Sequence, residues 1–69
     1  MYKAKEELKH ALKNAGGNYD IIVFRNRRSF RNIAKALDDL RIFWCEVDGE
    51  LLVNRHEVVG ALLRSKDYE

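Results

Sequence analysis

A chain of 69 residues, 46% hydrophobic and 35% charged, has the composition of one globular domain spanning 1–69 rather than of a disordered tail. Its single cysteine excludes an intrachain disulfide, and the apolar runs Ile21–Phe24 and Ile42–Cys45 fall far short of the roughly 20 residues of a membrane span. A net charge of +2 conceals two blocks: residues 21–37 carry five cations and no acid, whereas residues 38–50 carry five acids against Arg41 alone. With no apolar stretch of signal-peptide type near residue 1, these features lead us to expect a cytoplasmic protein.

The first element is a helix. Ala4, Leu8, Ala11, Leu12 and Ala15 recur on one helical face, with Lys5, Lys9 and Lys13 on its solvent edge and Glu6 within reach of His10. Gly16-Gly17 is expected to end it, since glycine adopts the left-handed capping conformation at little cost. Ile21-Ile22-Val23-Phe24 then reads as a central strand buried on both faces.

Ser29 is a good N-cap residue, and Phe30, Ile33, Ala34, Leu37 and Leu40 follow at helical spacing. Arg31 and Lys35 lie near the start of this helix and Asp38 and Asp39 near its end, the reverse of what the helix dipole favours. Asp48-Gly49 between two β-prone runs predicts a type I′ hairpin that pairs Val47 with Glu50, Cys45 with Leu52 and Phe43 with Asn54. Asn54 and Glu57 then begin a last helix, with Val58, Val59, Leu62 and Leu63 as its apolar stripe and a frayed tail from Ser65.

The expected class is α+β, a small sheet of about three strands in the order α-β-α-β-β-α. The first β-α-β unit is expected to place its two strands parallel through a right-handed crossover. A core this small makes a homodimer an expectation as well.

The chemistry concentrates in one segment, Arg25, Asn26, Arg27, Arg28, Ser29, Phe30, Arg31 and Asn32, followed by Lys35. It leaves the carboxyl end of a strand and enters a helix N-terminus, where unsatisfied N–H groups favour anions. Guanidinium forks give bidentate donors to phosphate oxygens, and Ser29 and Asn32 add neutral ones. Arg25, Arg27, Arg28, Ser29, Arg31, Asn32 and Lys35 are therefore the expected nucleic-acid-binding residues of a small regulatory protein, with DNA or RNA as partner. Lys9, Lys13 and Arg55 are candidates to extend the footprint. The competing expectation is that the arginines pair with Asp38, Asp39, Glu46 or Glu50.

Tyr19, Phe30 and Trp44 offer rings for base stacking, although Phe30 and Trp44 fit core positions better. His10, His56 and Cys45 have no metal-site spacing, and Cys45 reads as a buried structural thiol. No catalytic set assembles from these residues, and no enzymatic activity, metal or cofactor is expected. The alternative function is a protein-interaction module, an inhibitor or adaptor, that uses the hairpin face and the charge asymmetry.

Residues Gly49 to Leu63 resemble in outline the wing-to-final-helix end of excisionase-type winged-helix domains. The strand, arginine loop and following helix are similar in outline to the Alba family of nucleic-acid binders. Neither outline shares a specific motif with this chain, and no family is assigned on them.

Overall fold

The computed structural model describes residues 3–64. Among them run helix α1 (Ala4–Leu12), strand β1 (Gly16–Gly17), strand β2 (Ile21–Phe24), a 3₁₀ turn (Arg27–Ser29), helix α2 (Phe30–Asp39), strands β3 (Trp44–Val47) and β4 (Glu50–Asn54), and helix α3 (Arg55–Arg64). The class is α+β, as the patterning indicates. The expected frayed tail, Ser65 onward, lies outside the described residues.

The four strands form one sheet in the order β1-β2-β4-β3, antiparallel throughout. β2 and β3 run in the same direction, as a crossover requires, yet they are not neighbours. β4 inserts between them and bonds to both. Burial explains the choice: Leu51 and Val53 of β4 are 1% and 2% exposed and lie opposite Phe24 and Ile22, so β4 needs an interior position. β3, with Glu46 on that same face, tolerates the edge.

The fourth strand comes from Gly16-Gly17, which pairs with Val23 and Ile22 instead of capping α1. α1 ends earlier, with Lys13 as its last cap, and the backbone of Asn14 and Ala15 bonds back to Ala11 and Leu12 in tightened turns. Gly17 has φ +120, and a Cβ there would run into the Ile21 carbonyl oxygen, so this position requires glycine. Asn18 shapes the tight connection to β2 by accepting the N–H groups of Asp20 and Ile21 on its Oδ1.

All three helices pack on one face. Leu8 from α1, Ile33 and Leu37 from α2, and Val58 and Ala61 from α3 close over Ile22, Phe24, Leu51 and Val53. β2 is consequently not buried on both faces. Ile22 and Phe24 are covered, whereas Ile21 and Val23 are only half-buried on the opposite side. Cys45 likewise faces that open side and is exposed, not a core thiol.

Two helical faces differ from their patterns. Lys5 is buried, because it stands one turn before Leu8 on the covered stripe, where a long methylene stem can line the core. Lys9 pairs with Glu6 at 3.9 Å. On α3, Val58 and Ala61 are covered while Val59 and Leu63 are 48% and 73% exposed, so the apolar stripe is narrower than its composition suggests.

The end of α2 is a Schellman motif built on arginine. The Arg41 N–H bonds to the Asp38 carbonyl at 3.0 Å and the Ile42 N–H to the Leu37 carbonyl at 2.8 Å. Arg41 sits at φ 61 in the position glycine usually fills. A side chain there costs about 1–2 kcal/mol, less the roughly 0.5–1 kcal/mol of extra freedom that glycine gives the unfolded chain. Arg41→Gly is therefore expected to raise stability by about 0.5–1 kcal/mol, read as a higher urea midpoint at unchanged slope; a lower midpoint would contradict this account of the turn.

Candidate nucleic-acid interface

The arginine segment begins where β2 ends. Arg25 continues the strand's alternation onto the open face and lies level with Glu50, whose Oε2 accepts a hydrogen bond from Arg25 Nε at 2.8 Å. A Cβ on Gly16 would stand 2.8 Å from Arg25 Nη1, so the guanidinium lies across the sheet between β1 and β4. Both side chains are well exposed, and such a pair contributes at most about 1 kcal/mol. Its effect is positional: it draws Arg25 onto the sheet and away from the helix start.

Asn26, not Ser29, makes the cap. The Asn26 backbone is extended and its Oδ1 accepts the Arg28 N–H at 3.1 Å. Ser29 already has helical dihedrals, φ −93 and ψ −5, and makes no side-chain cap bond. The helical path therefore starts three residues earlier than the serine implies, and Arg27 and Arg28 ride on its first turn instead of a loop.

Arg27 turns toward the hairpin, where a Cβ on Gly49 would collide with its guanidinium. Arg28 and Arg31 are exposed and stand three residues apart along the helical path. None of Arg27, Arg28 and Arg31 forms an ion pair within 4.0 Å among the described residues. Lys35 is different, since its Nζ lies 3.4 Å from Asp39 Oδ2 one turn on. Asp38 accepts the Trp44 indole N–H at 2.9 Å, which ties α2 to β3. Asn32 is exposed on α2.

Of the seven residues expected from sequence, Arg27, Arg28 and Arg31 are thus cations without an ion-pair partner among the described residues. Arg25 and Lys35 are engaged with carboxylates, and Ser29 lines a different surface. That surface is a groove of about 180 Å³ between α1 and the start of α2, bordered by Glu7, His10, Asn14, Arg25, Asn26 and Ser29. The one-turn spacing of His10 and Asn14 puts them on a common side of α1, but nothing in the local sequence shows that this side meets the arginine segment.

Arg55 does not extend the cationic group. Its Nε donates to the Asn18 carbonyl at 2.7 Å and its N–H to the Asp20 carbonyl at 2.8 Å, fastening α3 to the opposite end of β2. Tyr19 is 89% exposed at that same far end, while Phe30 and Trp44 pack against the core.

Among the described residues no three His, Cys, Asp or Glu side chains gather as a metal ion would require, and no helix is long and apolar enough to cross a membrane. Compared with family models, curated proteins and solved structures, the chain matches none.

Proposed function

We propose that this protein is a small non-enzymatic regulatory module that binds nucleic acid through phosphate contacts from Arg27, Arg28 and Arg31. The observation that carries the reading is that Arg27 and Arg28 on the 3₁₀ turn and Arg31 on the first turn of α2 are all exposed and have no carboxylate partner among the described residues. Like charges three and four residues apart destabilise a helix by about 0.2–0.5 kcal/mol per pair, and cations at its N-terminus oppose the dipole by a similar amount. A cost of that kind, unrelieved inside the fold, is offset by an external polyanion. The four residue steps from Arg27 to Arg31 run through the 3₁₀ turn into α2 and, at about 1.5–2.0 Å each, advance about 6–8 Å, enough for the two side chains to meet different phosphates.

Three neutralised phosphates on duplex DNA correspond to a slope of log affinity against log salt of about −2.7. Fluorescence anisotropy with a labelled duplex across a salt series measures it. A slope near zero, or no binding at low salt, removes the proposal.

A second reading is favoured by a separate observation. The sheet face away from the helices carries Ile21, Val23, Leu52, Cys45 and Val47, and none of the helices among the described residues packs over it. That surface supports the protein-interaction alternative, and reversing the charges of Arg27 and Arg28 separates the two. Lost nucleic-acid affinity with self-association intact supports the first reading; a lost protein partner or altered assembly supports the second.

A further inference from the structure

β3 is the last strand of the sheet. The turn at Asp48-Gly49, with φ 51 and 80, is of type I′ and closes on Val47 and Glu50 as a hydrogen-bonded pair. Because such pairs alternate along an antiparallel ladder, Val47 and Cys45 direct their N–H and C=O groups to β4, and Trp44 and Glu46 direct theirs outward. Among the described residues no backbone group bonds to either of these two from outside the hairpin. An edge of this kind accepts another strand.

Its side chains select which one. When two copies of one edge pair antiparallel about a two-fold axis, one residue must lie opposite itself. Trp44 in that place would set Ile42 against Glu46 of the other copy, but the Ile42 N–H is already committed to the Leu37 carbonyl. Glu46 in that place would face its own charge and would call on Asp48 inside the turn. Cys45 in that place sets Trp44 opposite Glu46 in both directions, so all the outward N–H and C=O groups find partners and the two Glu46 carboxylates are kept apart. On the open face it sets Phe43 opposite Val47, apolar side chains that are 78% and 48% exposed in one chain. The apolar row then continues into Leu52 and Val23 of each copy.

We infer that the outer edge of β3 is a homodimer interface, on which a second copy of this chain pairs antiparallel about Cys45 to make one continuous sheet. The inference is independent of the arginines.

Cys45 reports the register. Opposed residues of a non-hydrogen-bonded pair have Cα atoms about 4.5 Å apart, inside the roughly 4.4–6.8 Å that a disulfide accepts. With oxidised glutathione added to the full chain, the two thiols lose two protons and two electrons to form the S–S bond, and the oxidant leaves as two glutathione thiols. The expected product on a non-reducing gel is a band at twice the 8.1 kDa of one chain. It should form roughly tenfold faster than in Tyr19→Cys with Cys45→Ser, where an equally accessible thiol lies off the edge and lacks the effective concentration of a docked pair. Phe43→Cys with Val47→Cys and Cys45→Ser should regain the fast cross-link. Glu46→Pro removes an outward N–H that the hairpin does not use, and proline is tolerated at such a position. It should abolish the doubled mass seen by light scattering while the circular dichroism spectrum is unchanged. Equal rates for the Cys45 and Tyr19→Cys chains, or a one-chain mass for the unmodified protein up to millimolar concentration, overturns the interface. If Glu46→Pro unfolds, the three cysteine chains still decide.

Discussion

Replacing Arg27, Arg28 and Arg31 together by alanine is expected to lower affinity for duplex DNA about 500-fold at about 0.1 M salt. Each phosphate contact contributes about 0.9 to the salt slope, so at about 0.1 M it is worth close to 0.9 decade relative to about 1 M, and three contacts reach about 2.7 decades. The fold should not suffer. All three side chains are exposed, and removing cations from a helix N-terminus relieves about 0.3–1 kcal/mol each. Binding and stability should therefore move in opposite directions in one protein, the first by anisotropy and the second by thermal melting. Arg25→Ala should do much less to affinity, because that guanidinium is drawn onto the sheet by Glu50. A triple variant that binds within tenfold of the parent, or an Arg25 variant that loses as much, would refute the assignment.

The largest expected effect on stability is at Leu37. It is fully buried on α2, beneath the Schellman turn, where the Ile42 N–H closes on its carbonyl. Truncating a buried leucine to alanine costs about 2–5 kcal/mol, the spread reflecting how far the cavity collapses. At about 0.05–0.15 kcal/mol per residue, a domain of this size has only about 3–10 kcal/mol in all, so Leu37→Ala should remove a large share of the stability, read as a clearly lower urea midpoint. Val59→Ala is the matched control. It belongs to the same apolar pattern in the sequence as Val58, yet it is half exposed, and its loss should stay within about 0.5 kcal/mol. Urea midpoints compare the two, and similar losses would mean that α3 presents a different face to the core.

The contrast between Val58 and Val59 shows what local pattern conveys and what it omits. The α2 periodicity, the Asp48-Gly49 turn and the Asn54 cap were each legible because one short-range requirement determines them. Asn54 Oδ1 does accept the Glu57 N–H at 3.0 Å, and Val47 does face Glu50. Gly16-Gly17 misled for a similar reason, since a helix stop and a short edge strand both ask for glycine, and only the presence of β2 alongside decides between them. Ser29 misled because Asn26 offered a cap three residues earlier, at the start of a 3₁₀ turn that carries no distinct hydrophobic signature.

The candidate site divides in the same way. That the basic residues leave a strand and enter a helix was readable, because both elements are local. Which of them remain unpaired was not. Arg25 meets Glu50 across two strands, and Trp44 reaches Asp38 from another element; neither partner is predictable from spacing along the chain.

By itself, the amino-acid order determined the class, the position and type of most elements, and the hairpin register, because helical period, strand period and turn chemistry act within a few residues. The tertiary structure alone decided that β4 separates β2 from β3, that the helices cover only one side of the sheet, and that Cys45 and Phe43 face outward. Those outcomes depend on which apolar surfaces compete for one limited core, and burial is a property of the assembled whole that no single segment encodes.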